Sequence, residues 1–481
     1  MTRALLALLL ASTAPALATG LEVSGSAQER GSVRATVTWD NAWKNARNRD
    51  GVWLFVKLTQ DWRRQHARLA PSGHQVTPLA GRPPGELLVS EDRAGAFLSL
   101  SGTHRGAAGF SVKLALEPDA LAGFAADKPV EAVVYGVEMV YLPEGAFTLG
   151  APDARALDES GFFKTGAEGA VDGLYEVTSE KAIPVGRPRG RLDYRVRFPE
   201  YEGDRLGPIP EGFPKGFRAF WLMKYELSQG DYAAFLNALD GEATAFRAIQ
   251  GGRDYAKGRG SIVLEAGRYV ARSPRRPANW VSWDDGCAFA DWAGLRPYTE
   301  LEWEKAARGP GKPVDMERPW GSASVERLRR RVRPDDDLET GGEADEKNLS
   351  DETRDVLGAS YWWVLDLAGS LWERVVTAGH PAGRAFRGTH GDGTVPHGFA
   401  DNADWPKGDV GRGGFGYRGG GYYEHGFRQN ELNPWSPIAW RRYAAWGDAP
   451  RTIAYGFRAA RSETGGTRQA TGSPGPPPQP R

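Results

Sequence analysis

Between Thr19 and Gly136, apolar and polar residues alternate in short runs: Val33 to Trp39, Gly51 to Lys57, Leu87 to Val89, Phe97 to Leu100, Phe110 to Leu116 and Val130 to Tyr135. A period of two turns one face of each run toward a core. With turn residues between the runs, the pattern predicts six or seven short strands in a small all-β sandwich. The Pro/Gly-rich stretch Pro71 to Gly85 reads as a loop. The region offers no acid pair, metal-type cluster or nucleophile, and reads as a binding or spacer module.

Farther along, the period lengthens. Ser228 can cap a helix with Asp231 three residues on, and Tyr232, Phe235, Leu236 and Leu239 fall at helical spacing before Gly241. Ser282 caps a second helix, with Asp284 and Asp285 in its first turn and Gly294 as its stop. Thr299 and Glu302 form a capping box for a third, running through Trp303, Ala306 and Ala307 to Gly309-Pro310. These are core-packing amphipathic helices, and nothing in them is catalytic. Around them, 62 Gly, 33 Pro and 17 Trp predict long irregular segments held by aromatic cores. The insert Ala151 to Glu211, rich in Gly, Pro and charge, reads as a surface excursion.

Composition narrows the picture. The chain of 481 residues has room for two or three domains. Met1-Thr-Arg3, the apolar run Ala4 to Leu10 and Ala16-Leu-Ala18 have the order of a secretory leader cleaved after Ala18. No later apolar run reaches the ~20 residues of a membrane-spanning helix, so the mature chain is expected to be soluble and exported, secreted or periplasmic. The single cysteine, Cys287, cannot pair within the chain and reads as a small core residue. Sixty-one basic and sixty-one acidic residues give no reason to expect nucleic acid or an anionic membrane as partner. The run Arg327 to Arg333, followed by Asp335 to Asp337, reads as a self-neutralising loop. Glu463 to Arg481, with Pro474-Gly-Pro-Pro-Pro478, reads as a disordered tail.

Seven segments then add a resemblance. They are Glu138 to Phe147, Trp221 to Ser228, Pro277 to Trp283, Arg296 to Arg308, Asp366 to Glu373, Tyr417 to Gly421 and Tyr455 to Arg458. Their order over about two-thirds of the chain resembles the sulfatase-modifying-factor, or formylglycine-generating-enzyme, family. The resemblance implies an α+β, C-type-lectin-like domain over 137–462, behind a leader at 1–18 and the sandwich-like domain at 19–136, with the tail at 463–481.

Family oxidases hold copper with two cysteines five apart, just after the segment matching Gly419 to Gly421. Glu424 and Gln429 occupy those positions here. Oxygen ligands replace soft thiolates poorly, so copper is not expected. The resemblance also implies a structural calcium, with Asp366 and Glu373 offering side chains and Gly369 and Leu371 carbonyls. Asn348 and Leu349 would begin a second site, for which Asp351 or Asp355 align poorly. Capping or a local ion pair is the other reading of Asp366 and Glu373. Relatives of the domain in iron-dependent sulfoxide synthases raise iron, for which His390, Asp392 and His397 are a nominal set; the stretch is short and glycine-rich, and iron is disfavoured. His380 and His425 stand unaccompanied.

The family's substrate groove maps onto Trp372 and the stretch after Gly421. That stretch holds Tyr422, Tyr423, Glu424, Arg428, Trp435, Trp440, Arg441 and Trp446. Such a set suits either a recognition surface or a loop-rich core. The expected role is binding or scaffolding with a protein, peptide or glycan ligand. The alternative is an oxidoreductase of the family with divergent chemistry, such as a non-haem iron enzyme or a modifier of a protein substrate.

Overall fold

The computed structural model of the chain describes residues 20–29, 31–249, 255, 259–329, 331–332, 338–339, 350–408, 413–421, 423–424, 428–429, 436–448, 451–463 and 467–470. The expected leader and Pro474 to Pro478 lie outside them.

Nine strands open the chain: β1 (Glu22–Glu29), β2 (Ser32–Lys44), β3 (Asp50–Gln60), β4 (Arg63–Ala67), β5 (Gln75–Pro78), β6 (Gly85–Val89), β7 (Ala96–Leu100), β8 (His104–Ala115) and β9 (Glu131–Leu142). Each predicted run falls largely or wholly within a strand. The stretch read as a loop contains β5, which pairs with β8 from Gln75 opposite Lys113 to Pro78 opposite Phe110. Pro78 ends that strand at the sheet edge, where its missing N–H costs no ladder bond.

Strands β1, β2, β8 and β5 form one sheet. The larger sheet runs Ala460–Ser462, Phe220–Met223, β9, β3, β7, β6 and Thr467–Ala470, with β4 also paired to β3. Val52, Leu54, Val56 and Leu58 of β3 meet Val33, Val37 and Leu114 between the two sheets. The alternate residues Trp53 and Phe55 join the helices on the other face. One strand thus feeds two cores, as a period of two requires.

The boundary expected at Val137 falls inside β9. Its residues 131–134 pair only with β3, and Met139 to Leu142 also pair with Phe220–Met223. Lys224 ties the same junction together: its buried Nζ lies 2.8 Å from Asp50 and 2.5 Å from Glu138. Thr467–Ala470, inside the span read as a disordered tail, pairs with β6. The open edge of β6 supplies the unpaired backbone groups that a local composition argument does not see.

The helices form where the caps are. Helix Gln229–Ala238 is capped by Ser228, whose Oγ accepts from Asp231 N–H. It is followed by a second short helix, Gly241–Arg247, capped by Asp240. Helices Trp283–Trp292 and Glu300–Arg308 both carry complete capping boxes, Ser282 with Asp285 and Thr299 with Glu302. Gly294, at φ +67°, follows the first of them as a left-handed stop.

The insert 151–211 is not a surface excursion. Phe162, Ile183, Leu192, Tyr194 and Ile209 are buried in the main core. Buried arginines bind its neighbourhood down: Arg441 donates to Ser160 and Glu202 carbonyls at 3.3 and 3.2 Å, and Arg308 to Thr148 and Gly150 carbonyls at 2.7 and 2.8 Å. The same guanidinium groups meet the helix Glu300–Arg308. Glu300 takes Arg441 at 2.9 Å and Arg418 at 3.2 Å, and Glu304 takes Arg308 at 3.0 Å and Arg418 at 3.2 Å, all fully buried. Burial pushes the Glu300 carboxyl up, but the two arginines outweigh it and hold it below its ordinary value.

Removing one member of such a network strands the others without a counter-charge. Glu300→Ala should therefore cost about 3–5 kcal/mol in a urea unfolding titration. Arg195→Ala, which removes an exposed 3.0 Å pair with Asp158, should cost less than about 1 kcal/mol. Equal losses for the two variants would contradict this account.

Candidate functional site

Trp372 opens the strand Trp372–Val376, which pairs with Phe415–Arg418 on one side and Tyr455–Gly456 on the other. That pairing gathers aromatic rings from distant segments. Trp372 meets Tyr443 edge-on at 5.6 Å, Tyr417 stacks on Tyr455 at 4.4 Å, and Trp446 sets its edge on Tyr417 and Tyr201 at 5.9 and 5.4 Å. The Arg374 guanidinium lies 5.0 Å from the Tyr417 ring centre and 5.3 Å from that of Tyr455. Trp372, Tyr417 and Tyr455 are buried, while Tyr443, Trp446 and Ile453 are only partly covered. The cluster is core below and surface above.

Of the other groove candidates, Tyr422 and Trp435 lie outside the described residues, as does His425. The backbone places Glu424 opposite Arg428 and Tyr423 opposite Gln429 in a two-stranded hairpin. Trp440 packs elsewhere, on Ala151, Ala156 and Ala439. Arg441 is a correction: it is 1% exposed, paired to Glu300, with its guanidinium 4.1 Å from the Tyr194 ring centre. Its Nε and Nη2 donate to the Glu300 carboxylate and its Nη1 to the Ser160 and Glu202 carbonyls, so the guanidinium is engaged inside the fold and not in an open groove.

Asp366, at φ +64°, starts a loop that crosses to Glu373 through Gly369, at φ +90°. Glu373 is fully buried. Arg458 donates to it at 2.6 and 3.1 Å, and the Tyr298 hydroxyl donates to its Oε2. A third acid stands beside them that the sequence reading passed over. Glu226 Oε1 accepts the Leu371 N–H at 3.0 Å, while its buried Oε2 makes no hydrogen bond. Burial, then the charges of Glu373 and Asp366, push the Glu226 carboxyl well above its ordinary value. The signal was available in the Lys224-Tyr-Glu226 part of the Trp221 to Ser228 segment, where a charged residue follows a buried strand. Asn348 and Leu349 lie outside the described residues, and Asp355 pairs with Arg327 at 3.0 Å.

The nominal iron set has other engagements. His390 Nε2 accepts the Ser462 N–H at 3.0 Å, and burial and Arg461 hold the ring down to about 3. Asp392 accepts from Thr394 N–H at 2.8 Å and from its hydroxyl at 2.5 Å, and His397 is exposed beside Glu242 at 3.3 Å. Asp392 does stand near Asp291 and Asp401, with carboxylate oxygens within 4.8 Å of one another. Both Asp291 oxygens already accept backbone N–H groups there. Cys287 is buried at 3% exposure in the main core, where burial pushes its thiol well up. Among the described residues, no helix is long and apolar enough to cross a membrane.

Residues 203–463 match the model of the sulfatase-modifying factor enzyme 1-like domain. A formylglycine-generating enzyme of Thermomonospora curvata is 28% identical over 204 residues, 40% of this chain and 55% of that protein. One of Streptomyces coelicolor is 30% identical over 161 residues, 26% of this chain and 50% of that protein. The chain thus spans about half the length of the curated relatives it matches. A pilus backbone protein of group B streptococcus, 12% identical and aligned over 39% of this chain and 87% of its own, overlays with a TM-score of 0.11, too low to bear on the fold. With the matched stretch covering more than half of the 481 residues and holding six of the seven motif segments, the chain belongs to the sulfatase-modifying factor enzyme 1-like family.

Proposed function

We propose that this chain is an exported member of the family that does not make formylglycine by copper and oxygen. Instead it binds a protein, peptide or glycan ligand at the aromatic surface around Trp372, Tyr443 and Trp446. The observation that carries the reading is the donor set: one cysteine in 481 residues, packed in the core on helix Trp283–Trp292. A dithiolate copper site needs two soft ligands, and Glu424 and Gln429 bring none. The residues therefore do not fit copper. The half-covered rings support recognition, since aromatic side chains offer large contact area at low entropic cost. The short strands and long loops around them are consistent with a C-type-lectin-like class for the domain.

Calcium fits better. Glu226, Asp366 and Glu373 place three carboxylates against the one guanidinium of Arg458, and Glu226 Oε2 has no partner. A hard divalent cation held by Asp366, Glu226 and the Gly369 and Leu371 carbonyls would supply the missing charge. Glu373, already satisfied by Arg458 and Tyr298, then serves to fix the loop.

Two measurements test these readings. Chelation should lower the melting temperature, and calcium at a hundredfold excess over its Kd should restore about 2.7 kcal/mol. Asp366→Asn with Glu226→Gln should abolish the difference, whereas Glu373→Ala is uninformative because it strands Arg458. The Glu226 carboxyl is raised in the fold, so without metal its contribution to stability is complete below its ordinary 4.5 and is lost as pH rises through the folded value. Calcium should flatten that decline; a melting curve indifferent to chelator at every pH would refute the site. For the chemistry, the full chain loaded with Cu(I) is incubated with a Cys-x-Pro-x-Arg peptide beside an active two-cysteine relative. Mass spectrometry should find the peptide cysteine unchanged, and catalytic conversion to the aldehyde would overturn the reading.

A further inference from the structure

The inward row of β3 reads Trp53, Phe55, Lys57: two aromatic residues and then an amine, all facing the helices. Over Lys57 lies a cavity of about 370 Å³, walled by β3, β4, β9, helix Gln229–Ala238 and the turn Gly393 to His397. That is within the range of small-ligand sites, ~300–1,000 Å³. Tyr135 and Trp292 line it. So do the charged or titratable groups Arg64, Glu131, Asp240, Arg268 and His397. Neither Arg64 nor Arg268 has a carboxylate partner among the described residues.

The bonds and the burial of the amine together bear on its state. His66 Nε2 lies 2.6 Å from the Ala94 carbonyl, which can only accept, so Nε2 carries the ring proton and Nδ1 is the acceptor. Lys57 Nζ lies 3.0 Å from that Nδ1 and donates at 2.7 Å to the Gly393 carbonyl. A neutral amine satisfies both acceptors with its two hydrogens and keeps its lone pair. Nζ also sits 5.2 Å from the Trp292 ring centre and 5.7 Å from that of Phe55, in apolar surroundings. Among the described residues no carboxylate is within ion-pair distance of it; Asp291 and Asp392 act on it only from farther away. Burial holds its pKa well below the ordinary 10.5, and burial likewise lowers that of the His66 imidazole beside it.

We propose that Lys57 is a nucleophilic amine serving this cavity, and that the cavity takes a small aldehyde or ketone bearing a carboxylate, which Lys57 holds as an imine. The lone pair of Nζ adds to the carbonyl carbon, a C–N bond forms, and the carbonyl oxygen departs as water with the two amine hydrogens. No oxidant or reductant takes part in forming the imine. Tyr135, whose phenol burial pushes to about 12, remains protonated at neutral pH in the same cavity and can donate to the departing oxygen. Arg64 and Arg268 suit the carboxylate.

The test uses the full chain with glyoxylate and cyanoborohydride at pH 7, read by peptide mapping. Lys57 should be alkylated at least about tenfold faster than the exposed Lys128, because a neutral amine needs no deprotonation. Between pH 6 and 8 the Lys128 rate should climb about tenfold per unit while the Lys57 rate climbs less steeply. Ala238→Phe, which fills the cavity and keeps Lys57, should slow Lys57 labelling to the Lys128 rate with the circular dichroism spectrum unchanged. Lys57 labelling no faster than Lys128, a Lys57 rate that rises with pH in parallel, or fast labelling that survives Ala238→Phe would each overturn the proposal.

Discussion

Buried arginine holds this fold together. A chain with so little regular secondary structure carries many backbone carbonyls that no ladder satisfies, and a buried carbonyl without a partner costs free energy. Arg308, Arg418, Arg441, Arg458 and Arg461 are all buried, and each donates to at least one main-chain carbonyl from a distant segment. Their charge is met by Glu300, Glu304, Glu373 and Asp92. Guanidinium suits the task because its planar fork carries five donors and stays charged. Desolvating these groups is expensive, so the network contributes specificity of loop placement more than net stability.

The sheet sets where that network can act. Because β3 and β9 bury both faces, the sandwich core and the helix core are fixed relative to each other by one set of strands. Lys224, reaching Asp50 and Glu138, and Trp53, whose indole N–H donates to the Ala293 carbonyl at 2.8 Å, pin the same junction with polar bonds. A cavity forms where this apolar interface gives way. At Lys57 the aromatic row ends, and helix Gln229–Ala238 no longer fills the face.

What could be read in advance was what neighbours in sequence decide. Ser282 with Asp285 and Thr299 with Glu302 close their boxes within one helical turn, and the strand runs declare themselves by alternation. What could not be read depends on partners far along the chain. Arg441 looked like a groove residue because arginine among aromatic loops suits both surface and core; Glu300, 141 positions away, decides for core. Ile183 and Ile209 were hidden in a polar, Gly-rich insert, yet they form a bridge to each other and join the main core. Glu226 was passed over because its neighbours Asp366 and Glu373 arrive from another segment. Thr467–Ala470 has a polar composition, and only the open edge of β6 makes it a strand.

The same separation explains why family membership and activity are distinct inferences here. The motif residues that carry the resemblance are mainly framework: Arg296 pairs with Glu302, Arg308 with Glu304 and Glu317, and Arg458 with Glu373. Such pairs specify how loops cross, and any chain that builds this loop arrangement needs them whatever its surface does. The positions to which the family resemblance would assign chemistry lie after Gly421, outside these pairs. Glutamate or glutamine in place of a thiolate changes the available ligands from soft to hard. The scaffold can therefore persist while its reactivity is replaced, and function has to be argued from the site residues themselves.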